Sequence, residues 1–405
     1  MKRFFALSLI LLCQSTFAAE TSVSGNAEIQ GRHSWNNEAA QDLPFPITQD
    51  WNQGDTFIFY GNLSPKIEFE NSKIEANFFL RHSVSDLYRE DYLAPRIYTF
   101  PNKLIARDLF KLSHRDERIN SQTDAVLNKL YYEKSFEKFR LAGGRLYINY
   151  GLGEIFNPVN PFNQPTGLTS IANVAQGNDG AQAKIFASDV HTIDLLLLGD
   201  KSINDYDGEI SPTAWVHGEL IASDRLTLDY AGGLDQRRTK IGSQIAYKFD
   251  EAMVFGQTLF QTKDSERDDS EALWDIMLGY DEQMNSKWHL RIESGYQKKD
   301  TSPIINPNAL GDRFLPVDYF VAFANTYEVH PLLNVAGTII NDFTSGFTYF
   351  IARGTLSLSD NIEGELFLFT PVAKGEERGD PLKDPNSLSQ KLVTQDLGLA
   401  LRAFF

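Results

Sequence analysis

The chain has 405 residues, 42 % of them hydrophobic and 12 % aromatic, with 38 Lys and Arg against 54 Asp and Glu and a formal charge of −16. That apolar content excludes a disordered chain, and an acidic balance without a clustered Lys/Arg run argues against a nucleic-acid partner. A single cysteine, Cys13, rules out disulfide scaffolds and cysteine-based zinc sites.

Lys2 and Arg3 precede an apolar stretch from Phe4 to Leu12, and Thr16-Phe17-Ala18 places small residues before Ala19. This is the pattern of a cleaved secretory signal over residues 1–18, leaving 19–405 as one mature domain. The stretch is too short for a membrane helix, which needs roughly 20 apolar residues. Leu12, rather than a small residue, stands before Cys13, which disfavours a lipid-modified start. No later run is long enough for a helical span, since the longest, Ile193 to Leu198, contains Asp194.

From there the sequence alternates polar and apolar over segments of about ten residues, the period of strands with two differently solvated faces. In chain order they fall near 22–36, 55–70, 73–88, 126–136, 139–150, 181–188, 190–199, 213–222, 225–236, 241–249, 252–262, 272–282, 287–297, 316–328, 332–342, 347–358, 362–371 and 392–405. Within 287–297, Trp288, Leu290, Ile292 and Tyr296 oppose Lys287, His289, Arg291, Glu293 and Gln297. Short connections such as Asn71-Ser72, Ser223-Asp224 and Asp250-Glu251 alternate with long ones such as 37–54, 89–125, 151–180, 298–315 and 372–391. Arg237 to Lys240 and Phe343 to Gly346 are short exceptions. Tight turns on one rim and long loops on the other mark an all-β, transmembrane, antiparallel up-and-down barrel. The segments predict about 18 strands, with 16 as the alternative.

With the apolar face outward, the inner face gathers Arg32, Glu75, Arg81, Lys129, Glu133, Arg145, Asp229, Arg291, Glu293, Arg353, Glu363, Glu365 and Arg402, among others. Unpaired in a dry interior, each such charge would cost several kcal/mol, whereas barrels of 16–18 strands leave an aqueous channel. Trp35, Tyr150, Tyr280, Trp288, Tyr296, Tyr319 and Tyr327 fall near segment ends, where aromatic rings favour membrane interfaces.

The last segment sets Leu397, Leu399, Leu401, Ala403 and Phe405 on one face and Gly398, Ala400, Arg402 and Phe404 on the other. In this it resembles the porin-like outer-membrane β-barrels of Gram-negative bacteria, which close on an aromatic residue. The resemblance implies that Phe405 is the signal read by the barrel assembly machinery. It also implies surroundings of outer-membrane lipid and lipopolysaccharide.

From Gly143 to Pro165 the chain reads GGRLYINYGLGEIFNPVNPFNQP. Gly144, Arg145, Tyr150, Gly151, Gly153, Asn157, Pro158 and Phe162 are similar to a Gly-Arg, aromatic-Gly-x-Gly, Asn-Pro motif of several porin-like families. Tyr150 replaces a common Trp and Asn160-Pro161 a common Thr/Val-Asp, so the resemblance carries no substrate. Prolines restrict this loop, glycines permit tight turns, and asparagines tie side chains to backbone. A long loop so restrained is ordered. Either the loop at 151–180 folds inward and sets the bore of a pore, with Glu154 and Asn157 near the constriction, or it caps the outer rim. Arg81, Arg145, Glu154, Asn157, Arg291, Glu293 and Arg353 are the candidate pore residues. In the loop at 89–125, Leu104, Ile105, Leu109 and Leu112 predict a surface helix starting at Pro101, with Arg115 on its polar side.

No enzyme, cofactor or metal pattern occurs. The His residues are scattered without His-Glu-x-x-His spacing, and no Gly-x-Ser-x-Gly elbow exists. The acidic stretches 264–271 and 376–384 lack a calcium-loop pattern. The function expected is a porin-like channel in the outer membrane, passing small hydrophilic solutes by diffusion. A barrel for lipid or polysaccharide export, or a closed adhesive barrel, stands as the alternative. Monomer and homotrimer both remain open.

Overall fold

A computed structural model describes residues 19–36, 53–85, 113–118, 121–162, 177–201, 210–235, 238–263, 272–297, 319–343, 347–373 and 394–405. These hold the strands β1 (Glu20–Asn36), β2 (Gln53–Phe69), β3 (Ser72–Ser85), β4 (Ser113–Arg118), β5 (Ser121–Ser135) and β6 (Phe139–Leu146). Next come β7 (Asn178–Ser188), β8 (His191–Lys201), β9 (Ile210–Ser223), β10 (Leu226–Asp235), β11 (Arg238–Phe249), β12 (Ala252–Gln261) and β13 (Leu273–Asn285). The last are β14 (Trp288–Gln297), β15 (Tyr319–His330), β16 (Leu333–Asp342), β17 (Phe347–Ser359), β18 (Ile362–Ala373) and β19 (Thr394–Phe404).

Each wall strand pairs antiparallel with the next, β3 pairs directly with β5, and β19 returns to β1. Eighteen strands thus close a barrel, and β4 flanks it as a short ribbon on residues 121–126 of β5. Closure satisfies every strand edge, which a sheet in hydrocarbon requires. At the seam, Arg402 of β19 reaches Glu28 of β1 at 2.8 Å, and Arg32 of β1 pairs with Asp396 of β19. Below them, Gly25 and Phe405 exchange backbone hydrogen bonds at 2.9 and 3.1 Å.

The burial pattern reverses that of a soluble sandwich. Ile29, Leu197, Ile241, Leu278 and Leu399, each more than 60 % exposed, point outward, whereas Gln30, Gln244, Gln257, Asp275 and Glu293 are buried inside. An outer face this apolar needs lipid as its solvent. Across β14 and β15, Trp288 lies opposite Tyr327 near the short-turn rim and Tyr296 opposite Tyr319 near the long-loop rim. Leu290, Ile292, Val321 and Phe323 occupy the outer face between these aromatic pairs, the banding of a membrane-spanning wall. Turns at 70–71, 224–225, 250–251, 286–287, 331–332 and 360–361 keep one rim tight. Asp250 takes φ 51° in its turn, a conformation that Asp tolerates through local hydrogen bonding.

Three sequence expectations change. The fifth wall strand ends at Leu146, not at 150, because residues 147–150 leave the wall while still alternating. Ile148 and Tyr150 are buried, but against the inner face rather than beside a neighbouring strand. Tyr150 is therefore not an interfacial aromatic. Second, β5 begins at Ser121 and Arg115 lies in β4, since backbone pairing extends this hairpin where the charged sequence shows no alternation. The helix predicted from Pro101 to Leu112 lies outside the described residues, as do residues 1–18, 163–176 of the predicted inward loop and the two acidic stretches.

Third, the inner face is not uniformly polar. Leu196, Leu198, Trp215, Phe255, Leu259, Met277, Phe320 and Ile340 point inward and are buried. They form an apolar inner wall that the chain covers from within.

Candidate functional site

The covering segment is 147–162, which runs inside the barrel. Ile148, Tyr150 and Phe162 pack with Leu196, Leu198, Trp215 and Leu259. Farther along, Ile155 and Phe156 pack with Phe255, Met277, Phe320, Ile340 and Tyr349. Tyr150 stacks on His217 of β9 at 4.0 Å between centroids, Phe162 meets Trp215 edge-on at 5.6 Å, and Phe156 meets Phe320 edge-on at 6.1 Å. Each such aromatic contact adds about 0.5–1.5 kcal/mol to the area it buries.

Local bonds give the segment its shape. Asn157 Nδ2 donates to the Tyr150 carbonyl at 2.6 Å, and Asn160 Nδ2 to Asn149 Oδ1 at 2.8 Å. Gly151 turns at φ 73°, where a Cβ would meet Asn157 Oδ1 and Val159. Gly153 approaches the Phe156 carbonyl so closely that a Cβ would overlap it. Only glycine fits both requirements.

Polar bonds then tie the tip to the wall. Glu293, 0 % exposed on β14, accepts the backbone N–H groups of Glu154, Ile155 and Phe156 at 2.8, 2.9 and 3.2 Å. Three successive amides converging on one anion form a nest. Arg291, two residues along the same inner face, donates to Glu293 at 2.7 Å and to Asp281 at 2.8 Å. It also donates to Glu154 at 3.2 Å and to the Leu152 carbonyl, with Phe255 under its guanidinium at 5.1 Å. Beside it, Gln244 Oε1 accepts the Leu152 N–H at 2.9 Å and the Gln257 amide at 2.6 Å.

Glu154, Asn157, Arg291 and Glu293 are thus brought together where the segment docks. Arg145 stands at the root, donating to both carboxylate oxygens of Asp179 at 2.8 Å and to the Leu127 carbonyl at 3.0 Å. Such a bidentate pair fixes orientation as well as charge. Arg81 belongs to another part of the wall, buried against Asp124 at 2.9 Å. Arg353 lies 3.0 Å from Glu365, which also approaches Arg402. Arg145, Arg291, Glu293 and Asn157 are buried, while Glu154 keeps a 66 % exposed side chain. Glu154 is also the only charged residue between 147 and 162. No group of three or more metal-ligating side chains occurs among the described residues.

Sequence reasoning missed the apolar inner wall, Gln244 as an anchor of the segment, and Asp281 and Gln257 as partners of Arg291 and Gln244. A signal for the wall existed in Leu195 to Leu198 and Ile339-Ile340, where both faces of a strand are apolar and so both must be covered. The amide anchors carry no such signal.

No protein-family model and no curated protein sequence matches the chain. Solved structures do resemble it. OccAB4 of Acinetobacter baumannii is 11 % identical with a TM-score of 0.57, over 95 % of this chain and 98 % of that one. OccK5 (OpdH) of Pseudomonas aeruginosa is 9 % identical with a TM-score of 0.56, over 95 % and 98 %. A BenF-like porin of Pseudomonas fluorescens Pf-5 is 8 % identical with a TM-score of 0.56, over 96 % and 98 %. The shared architecture is the closed antiparallel barrel of outer-membrane porins, spanning nearly the whole of each chain.

Proposed function

We propose that this chain is an outer-membrane channel through which small hydrophilic solutes diffuse, with segment 147–162 setting the bore. The observation that carries the reading is that segment, folded inside an 18-strand barrel and docked on its wall through Glu293. A closed structural barrel has no need to hold an ordered, water-facing carboxylate such as Glu154 in its interior. Charged side chains on the inner face, paired as in Arg32–Asp396, Arg81–Asp124 and Arg402–Glu28, suit a wetted wall. The porin-type fold supports the same reading.

In this scheme residues 1–18 are an export signal, 19–405 form the membrane domain, and Phe405 addresses the barrel to its assembly machinery. Lipid and lipopolysaccharide surround the apolar belt. No catalytic step is assigned. Among the candidate pore residues, Glu154 faces the solute path, and Arg81 and Arg353 form part of its wall. Arg145, Arg291, Glu293 and Asn157 hold the narrowing segment.

Single-channel recording of the refolded mature protein in a planar bilayer tests this. Stable conductance steps with a defined reversal potential in a salt gradient are expected. A folded barrel that conducts no ion and swells no liposome with any small solute would overturn the channel reading. Copurification with a periplasmic adaptor would then turn attention to export.

A further inference from the structure

The amide nest at 154–156 is filled by a side chain of the wall, and this has a consequence for the bore. Resting on the channel reading above, we infer that Glu293 is the positioning residue that fixes the aperture, with Arg291 as its counter-ion rather than a solute-binding group.

Three observations converge. Glu293 is wholly buried, and its two oxygens receive three consecutive N–H groups from the tip of the segment. Arg291 is nearly as buried, and its donors are taken up by Glu293, Asp281, Glu154 and the Leu152 carbonyl. No donor fork is left pointing at a passing anion. Arg291 also holds Glu154 and the Leu152 carbonyl, and Gln244 accepts the Leu152 N–H at 2.9 Å, but it is Glu293 that takes three consecutive backbone donors of the tip. Ile155 and Phe156, whose amides are part of the nest, supply the apolar half of the contact with their side chains.

The charges facing this site come from three elements. Glu154 lies on the segment, Asp281 on β13, and Arg291, Glu293 and His289 on β14, with His289 3.0 Å from Asp281. One guanidinium thus serves three carboxylates, and Glu293 is the carboxylate that holds backbone. Bonds from neutral donors to a charged acceptor are strong, and removing the acceptor leaves buried amides unsatisfied. Losing one such bond lowers the docked-to-released ratio of the tip roughly 10- to 100-fold.

Glu293→Gln tests the inference with little change of volume. Its one carbonyl oxygen accepts, but its NH2 group faces amide donors, so part of the nest is lost. Two readouts separate positioning from folding and from conduction. Heat-modifiable migration shows that the barrel has formed. Thiol labelling at Ile155→Cys in the 19–405 chain, which has no other cysteine, then reports whether the tip is docked, because Ile155 is only 4 % exposed. The expected result is labelling about tenfold faster or more when Glu293→Gln is added. With it come a larger unit conductance and a larger solute cut-off. Unchanged labelling and unchanged conductance in a folded Glu293→Gln barrel would overturn the assignment. Should the wild-type barrel prove silent in the bilayer, the channel reading falls while the labelling still decides whether Glu293 pins the tip.

Discussion

At the scale of single residues, the docked segment separates shape from charge. Shape comes from Gly151, Gly153, Asn157 and Asn160, whose conformations and bonds are internal to the segment. Charge comes from Glu154 alone, since nothing else between 147 and 162 is charged at neutral pH. In the proposed channel, Glu154→Gln is therefore expected to lower the preference for K⁺ over Cl⁻ by about twofold or more, because a carboxylate at a narrow point favours cations. The reversal potential in a salt gradient measures this, and an unchanged value would move the selectivity to another part of the lumen. The motif from Gly143 to Pro165 made an ordered segment legible in the sequence. It left open whether the order lay inside the barrel or above its rim. That was decided by Leu196, Trp215, Phe255 and Phe320, residues remote in sequence whose inward rings need a cover.

At the scale of elements, the strands divide into wall, ribbon and seam. The wall strands were readable where one face is apolar and the other is not, as in β14, where Trp288, Leu290 and Ile292 alternate with His289, Arg291 and Glu293. Alternation reports an extended segment with two environments. It cannot say what provides them, which is why residues 147–150 read as wall and are not. The ribbon β4 has no alternation, and its existence rests on backbone pairing with residues 121–126. At the seam, Arg402 draws in Glu28 at 2.8 Å, Glu363 at 3.7 Å and Glu365 at 3.8 Å, linking β19 with β1 and β18. Arg402→Ala leaves the buried Glu28 without this partner and is expected to cost about 2–3 kcal/mol. A lower temperature for loss of the folded, fast-migrating band would show it, and an unshifted transition would make the network dispensable.

At the scale of the whole molecule, the barrel is a surface for two solvents. Outward Ile29, Ile241, Leu278 and Leu399 meet lipid, and the inward polar residues pair with one another across strands. Placing a charge on one lipid contact probes this division. Leu399→Arg places a guanidinium in the apolar belt at an expected cost of about 2–4 kcal/mol at mid-membrane, less near an interface. Recovery of folded barrel in bilayers of defined composition measures that cost. Wild-type recovery would show that Leu399 does not face hydrocarbon. The inward Asp275→Asn serves as the comparison, since both residues remain polar in a wetted or hydrogen-bonded interior.

Sequence by itself determined an antiparallel order of about 18 strands, with 16 as the alternative, the two-faced wall and the sorting of loops by length, and barrel closure fixed the count at 18. Each sequence reading follows from local periodicity and from the spacing of turns, which a single chain carries without knowledge of its neighbours. Tertiary structure alone decided that segment 147–162 lies inside and that Arg145 pairs with Asp179. It alone set Glu293 in an amide nest and bound Arg402 to Glu28 across 374 residues of chain. Those contacts depend on barrel closure, which brings distant strands to one level. No local pattern encodes which buried carboxylate will meet which backbone amide.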